Sequence, residues 1–435
     1  MAYWKLEVEG FGKIKKAEIE LAPMTLFVGD NNSGKSYLLS LAWAVRKFGD
    51  DIFRREFFRK EDDTKSDELG LYFREAIQQA EDKGSAVLNL AHILPQLEVK
   101  INQTLEIKKE QLMNMLFHSN CVSVEQIQMK VPENISGNIW INDSQGKMTA
   151  SFFGIGFIEF SCNLTYEYRI NLLLETAIEC LLLLPSAVYM PAARTGFMMS
   201  KDIINKYARE KAFTLIETEE RPASQTFSRP ILDFLDVMND LSQEQDGAEA
   251  YRDIVSFIQR EMTQGNVEIS SLPGRELSYI PDGGDRKYPF RAASAVVTEL
   301  APLLLLLSHT KRIGGLFYEE PEMCLHPALQ KRMGQVLARM VNAGIDVTAT
   351  THSDIILQHM NNMIRLSRMQ KNPKDYGYET EDLIAPEKVR VYQMSVCKDG
   401  MTEVKELPCG ENGFAVPTFN DALDELMEDV IQIQS

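Results

Sequence analysis

The stretch Gly29-Asp-Asn-Asn-Ser-Gly-Lys-Ser36 fills every fixed position of G-x-x-x-x-G-K-[ST], and its surroundings decide the fold. Met24-Thr-Leu-Phe-Val28 before it is an apolar run that predicts a buried strand. Tyr37-Leu-Leu-Ser-Leu-Ala-Trp-Ala-Val45 after it predicts a buried helix. A strand-to-helix turn is the context in which this motif holds phosphate. Gly29 and Gly34 let the backbone curl so that successive N–H groups point inward, and the helix N-terminus adds its positive end. The expectation is a triphosphate site formed by Gly29, Asp30, Asn31, Asn32, Ser33, Gly34, Lys35 and Ser36. Lys35 reaches the β- and γ-phosphates, and the Ser36 hydroxyl is placed to ligate Mg²⁺.

The rest of the composition narrows the class. A chain of 435 residues, 44% hydrophobic and 25% charged, has the makeup of a globular protein with two or three lobes. Against 46 Lys and Arg stand 63 Asp and Glu, a net charge of −17 that repels nucleic acid over most of the surface. Contact with DNA or RNA then requires a local basic patch or a partner. Cysteines at 121, 162, 180, 324, 397 and 409 form no C-x-x-C pair, which suits a reducing cytosol and argues against zinc. The first residues lack the layout of a signal peptide, and the leucine runs 181–184 and 303–307 are too short to span a bilayer. A cytoplasmic protein with no membrane association is expected.

Along the chain, residues 3–9 and 14–21 flank Gly10-Phe-Gly12 and predict a hairpin feeding the strand of the phosphate loop. From 50 to about 119 the sequence turns charged and helical, with Leu69–Asp82 and Leu97–Leu116 at helical spacing. Arg54, Arg55, Arg59 and Lys60 form a basic knot there, either a solvated face or a phosphate-contacting patch. Residues 138–142, 147–153 and 157–162 are short β-prone runs separated by turn residues, which predicts an antiparallel β-lobe. An apolar helix over 171–184, a short strand at 187–190 and the turn Pro191–Gly196, which carries Arg194, lead into a helix-rich stretch over 197–262. Strand-like patterning returns at 267–280.

Downstream lies a second cluster. Ile313-Gly-Gly-Leu-Phe-Tyr318 predicts a buried strand ending in Glu319-Glu320, whose carboxylates leave opposite sides of an extended backbone. Glu319 can hold Mg²⁺, and Glu320 can activate the water that attacks a γ-phosphate. A helix follows from Ala328 to a stop at Gly344. The next strand, 346–351, ends in His352, placed to donate to a γ-phosphate or to hold the attacking water.

Taken together, Gly29–Ser36, Glu319-Glu320-Pro-Glu322 with Leu325-His-Pro327, and Thr350-Thr-His-Ser353 resemble the Walker A, Walker B with D-loop, and switch histidine of ABC-type ATPases. The EEPE…LHP form and Tyr189-Met-Pro-Ala-Ala-Arg194 are similar, more narrowly, to SMC/RecF/OLD-like ATPases of prokaryotic defence and DNA maintenance. That resemblance implies an α/β fold, an ABC/SMC-like P-loop ATPase head with an antiparallel β-lobe and helical insertions. It implies ATP and Mg²⁺ as cofactors and a homodimer with ATP sandwiched between heads. It also implies that Ser294, in Arg291-Ala-Ala-Ser-Ala-Val-Val-Thr-Glu-Leu300, contacts the partner's γ-phosphate. Two positions depart from the family pattern: Ala295 replaces a glycine, and Glu319 replaces an aspartate.

The expected organisation is 1–50 as the first part of the nucleotide-binding lobe, 51–125 as a helical insertion, and 126–195 as the β-lobe and return to the head. A helical segment at 196–265, a lobe at 266–390 carrying signature, acids and histidine, and a C-terminal unit at 391–435 follow. Three functions compete. An ATPase that gates a separate effector, as in Septu-like and PARIS-like phage defence, is favoured. A RecF- or SMC-like DNA-repair head must overcome the charge, and an ABC-transporter subunit is disfavoured by the missing signature and the long insertions; a stand-alone OLD-like nuclease is set aside because no Asp-x-Asp set follows His352. A terminal amphipathic helix over 421–433 is expected to dock on the core or on an acid-seeking effector.

Overall fold

The computed structural model describes residues 3–49, 52, 65, 67–118, 122–132, 137–144, 146–152, 156–182, 187–212, 227–241, 249–270, 277–369, 371–416, 427 and 433. The basic knot at 54–60 lies outside them, as does the terminal helix apart from Met427 and Ile433.

The chain opens with the expected hairpin, β1 (Lys5–Phe11) and β2 (Ile14–Glu20), then β3 (Met24–Gly29) and α1 (Lys35–Lys47). Helices α2 (Glu68–Lys83) and α3 (Leu90–Phe117) flank β4 (Ser85–Asn89), after which comes β5 (Gln126–Lys130). Strands β6 (Asn138–Ser144), β7 (Lys147–Phe152) and β8 (Gly156–Ser161) precede α4 (Tyr166–Leu182), β9 (Ala187–Met190) and α5 (Arg194–Ala212). Next are α6 (Arg229–Asp240), α7 (Arg252–Ile258), and strands β10 (Gly265–Ile269), β11 (Leu277–Pro281) and β12 (Tyr288–Pro289). The remainder is α8 (Ala295–His309), β13 (Gly315–Glu319), α9 (Pro327–Asn342), β14 (Asp346–Thr351), α10 (Asp354–Arg368), β15 (Val389–Val396) and β16 (Thr402–Leu407).

Among the described residues, nine strands make the central sheet, in the order β5-β1-β2-β16-β15-β3-β14-β13-β9. From β15 to β9 the neighbours are parallel, and the hairpin β1-β2 extends the other edge with β5 antiparallel to β1. Strand β3 is buried at all six residues, as a parallel strand covered on both faces must be. Its Met24, Leu26 and Val28 join one core with α8, α9 and α10, while Phe27 joins the other with α1 and α3. A four-stranded antiparallel sheet, β4-β6-β7-β8, forms the β-lobe. This is an α/β P-loop head with an antiparallel β-lobe and helical insertions.

Three elements differ from the sequence reading. Residues 85–89 are a strand within the stretch expected to be helical; Gly84 at φ 83 caps α2, and alternate burial (Ala86 and Leu88 in, Val87 out) lets β4 pair with β6. The turn expected over Pro191–Gly196 is shorter, because Arg194 already opens α5. Pro95 sits inside α3, which starts earlier than the periodicity indicated because Asn89 caps it through a bond from the Ala91 N–H.

Candidate active site

Three adjacent parallel strands, β3, β14 and β13, end at one edge and carry the phosphate loop, His352 and the paired glutamates respectively. Ligands of open α/β sheets bind at the carboxyl ends of such strands. A cavity of about 410 Å³ lies there, lined by Asn31 to Tyr37, Glu320, Thr350 and His352, and on its other side by Phe11 to Ile14 and Val122.

The loop geometry follows from its residues. Asn32 at φ 57 and Gly34 at φ 91 take left-handed conformations that turn the chain into α1. Gly29 has a second constraint, because a Cβ there would fall 2.2 Å from the Met394 carbonyl oxygen of β15 at φ 126. Asp30 does not face the cavity; its carboxylate accepts the Val396 N–H at 3.0 Å and its own N–H donates to Met394. Strand β15, some 360 residues downstream, is therefore the shelf on which the loop rests. Lys35 is buried and folds back, donating to the Gly29 and Asp30 carbonyls at 3.1 and 2.5 Å and to Ser33 Oγ at 3.3 Å. Burial lowers its pKa to about 8, partly opposed by Glu320 and Asp30. An ammonium held on neutral carbonyls is a group that an incoming polyphosphate would recharge fully.

The two glutamates do different things. Glu320, at φ 41, is bent out of the strand; its N–H donates to the Thr350 carbonyl and hydroxyl, and its carboxylate stands 3.8 Å from His352 Nε2. Burial and the Lys35 charge push His352 below 6.5, so its imidazole is neutral at neutral pH. Glu322 accepts the His352 N–H at 2.6 Å, and burial raises its own pKa. Glu319 does not line the cavity. Its carboxylate accepts from the Tyr189 hydroxyl at 2.7 Å and the Ala192 N–H at 2.8 Å, and Tyr189 in turn meets Ser40, one helical turn after Ser36. Ser36 lines the cavity itself.

Arg194 is wholly buried and structural. It pairs with Glu299 of α8 at 2.8 Å, donates to the carbonyls of Pro191, Glu319 and Glu320, and lies over the Tyr318 ring. Glu299 is completed by the Thr195 N–H and hydroxyl. Ser294, exposed, caps α8 by accepting the Val297 N–H at 3.4 Å and lies apart from the cavity of its own chain. Sequence reasoning missed Phe11, Tyr37 and Val122 on the cavity wall. The aromatic stack Phe11, Tyr37 and Phe117, with centroids 5.0 to 6.3 Å apart, joins residues far apart in the chain.

A phosphate loop at the end of one parallel strand, with an acid pair and a histidine at the ends of its neighbours, is the arrangement of a P-loop nucleotide-binding fold. The AAA ATPase domain family matches residues 1–357, and the chain belongs to that family. No curated protein matches the sequence. Among solved structures it is similar to the SMC head domain from Thermotoga maritima, at 13% identity over 94% of this chain and all of that one, with a TM-score of 0.35. It is similar also to the Smc head with an extended coiled coil bound to the C-terminal domain of ScpA derived from Pyrococcus furiosus, at 13% identity, full coverage of both chains and a TM-score of 0.38. An SmcHead bound to the C-winged helix domain of ScpA gives 13% identity, 93% and 97% coverage and a TM-score of 0.39. Among the described residues, no helix is long and apolar enough to cross a membrane.

Proposed function

We propose that the chain binds and hydrolyses ATP, and that ATP-driven pairing of two heads gates a separate effector of the anti-phage type. The observation that carries the catalytic part is the convergence of Lys35, Ser36, Glu320 and His352 on one cavity. Backbone N–H groups of 31–35 and the Lys35 ammonium would hold the β- and γ-phosphates. Glu320 is the group to take the proton from the attacking water, and neutral His352, 3.8 Å away, orients that water or donates to the γ-phosphate. Mg²⁺, held by the Ser36 hydroxyl and by Glu319 once released from Tyr189, would neutralise phosphate charge. Among the described residues no three His, Cys, Asp or Glu side chains converge as a metal site, so most ligands of that ion would come from phosphate and water.

The dimer part is supported by exposed Ser294 at a helix N-terminus, a ready hydrogen-bond donor to the phosphates of a second copy's nucleotide. The effector part rests on the motif resemblance and on a net charge of −17 that disfavours direct grip on duplex DNA. Glu320→Gln tests the reading: ATP binding persists, turnover falls by ~10²-fold or more, and light scattering shows an ATP-dependent dimer. Turnover at the parental rate would place the base elsewhere. A stable ATP-bound monomer would refute the sandwich, and a neighbour-encoded protein released or activated by the trapped dimer identifies the effector.

A further inference from the structure

A second cavity, of about 650 Å³, lies at the opposite end of α10 from His352. Ser353 caps the N-terminus of this helix beside the nucleotide site, and Arg365 and Arg368 in its last turns line the cavity. The two cavities share no lining residue, and Arg365 and Arg368 lie roughly 16 and 21 Å along the axis from the start of the helix, so an occupant of one does not fill the other.

Its lining is unlike the rest of this acidic chain. Lys331, Arg365, Arg368 and Lys371 converge on it, with one acid, Glu411, on the wall. Among the described residues these four cations form no salt bridge. The arginines are instead held by neutral acceptors: Arg365 donates to Asn412 Oδ1, and Arg368 to the carbonyls of Gly410 and Glu411. Two tyrosines complete the wall. Tyr378 is buried, with its hydroxyl fixed by His359 at 2.5 Å and Asn362 at 3.3 Å and Lys331 Nζ 4.7 Å from its ring centroid. Tyr376 is half exposed, with Lys371 Nζ 5.5 Å from its ring. Burial and neighbouring Arg332 lower the Lys331 pKa, partly opposed by Asp382. Leu366 and half-exposed Met369 add apolar surface.

Cations that form no salt bridge among the described residues, collected in a protein of net charge −17, favour an anion. The cavity volume matches a small-molecule site, and an exposed tyrosine beside a lysine suits a planar base that carries phosphate. We propose that this cavity is a nucleotide-binding site separate from the phosphate loop, taking a base on Tyr376 and phosphate on Lys331, Lys371 and the two arginines. A free nucleotide and the end of a single-stranded nucleic acid share that chemistry.

The test uses the full chain with Lys35→Ala, which silences the phosphate loop, and titrates it with AMP by calorimetry and with fluorescein-labelled dT10 by anisotropy. Binding of dT10 with a log–log salt slope of roughly −3 is expected from four phosphate-facing cations. Tyr376→Ala and Lys371→Glu, both at exposed positions that need not disturb folding, should each weaken binding ~10-fold. The same two changes in an otherwise native chain should leave ATP affinity at the phosphate loop unchanged. Tighter AMP binding assigns the free nucleotide, and tighter dT10 binding assigns the strand end. The proposal is overturned if neither probe binds at millimolar concentration, if both variants bind like the parent, or if a polyglutamate peptide binds as well as either probe.

Discussion

Removing the carboxylate charge of Glu299 should be among the most damaging single changes in the protein. Glu299 is 1% exposed and Arg194 0%, with Nη2 and Oε1 2.8 Å apart. At that distance the gross attraction is roughly 6 kcal/mol with an effective dielectric constant of 20, much of it consumed by desolvation. What a variant reveals is not that net value but the charge left stranded. Glu299→Gln keeps the shape and an oxygen for the Thr195 N–H and hydroxyl, yet leaves a buried guanidinium unneutralised, at a cost of roughly 3–5 kcal/mol. Arg194→Met should cost at least as much, because it also strips a donor from the carbonyls of Pro191, Glu319 and Glu320. The double variant Arg194→Met/Glu299→Gln should lose ~2 kcal/mol less than the sum of the singles. Equilibrium urea unfolding followed by tryptophan fluorescence reads all three. A loss under ~1 kcal/mol for Glu299→Gln, or strict additivity, would refute the argument that this pair holds the acid-bearing strand end.

Three other outcomes follow from the site. Lys35→Ala should reduce ATP affinity by ~100-fold or more in calorimetry, and unchanged affinity would end the phosphate-loop assignment. Because the Lys35 pKa in the empty fold is about 8 against an ordinary 10.5, the folded chain binds fewer protons than the unfolded one between those values, and stability gains from this group as pH rises through that window. ATP binding should therefore take up ~0.1 proton at pH 7 and ~0.5 at pH 8, measured by calorimetry in buffers of different ionisation enthalpy; uptake that persists in Lys35→Ala sinks the assignment. Gly29→Ala should cost several kcal/mol and abolish ATP binding, since its Cβ meets the Met394 oxygen at 2.2 Å. Gly12→Ala, at φ 57 with nothing within 4 Å, should cost only ~1 kcal/mol by thermal unfolding, and equal losses would discredit the shelf argument.

What the sequence made legible was what depends on neighbours along the chain. The phosphate loop, the Glu319-Glu320 strand end and the position of His352 are local: an apolar run, a turn and a helix start, each within a few residues. Strands β4 and β5 escaped because five-residue runs such as Ser85–Asn89 and Gln126–Lys130 carry too few alternations to stand out beside long helices. The lodging of β15 beside β3 was out of reach for a different reason, since parallel pairing across some 360 residues leaves no local trace. Arg194 was legible as a residue worth holding in mind, but its partner Glu299 lies 105 positions on and only the fold brings them together. The basic cavity shows the same limit: Arg365, Arg368 and Lys371 are close in sequence, whereas Lys331 and Asn412 come from other elements.

The Arg194 network also bears on how two heads could communicate. Ser294 caps α8, and Glu299 lies on the next turn of that same helix. Through Arg194 that turn is fixed to the carbonyls of Glu319 and Glu320, the second of which lines the chain's own candidate nucleotide cavity. A helix turn, a buried ion pair and a strand end packed at interior density move as one body, because such contacts tolerate little independent displacement. If Ser294 engages a partner's γ-phosphate, its displacement is then carried to Glu320 with no hinge between them. Arg194→Lys discriminates this from a purely structural brace. Lysine keeps the charge for Glu299 but cannot span three carbonyls and a carboxylate at once, so it should retain most of the stability while lowering turnover and the cooperativity of ATP hydrolysis together. A variant that unfolds no more easily than the parent and hydrolyses ATP with unchanged cooperativity would show that the two sites are not joined through this residue.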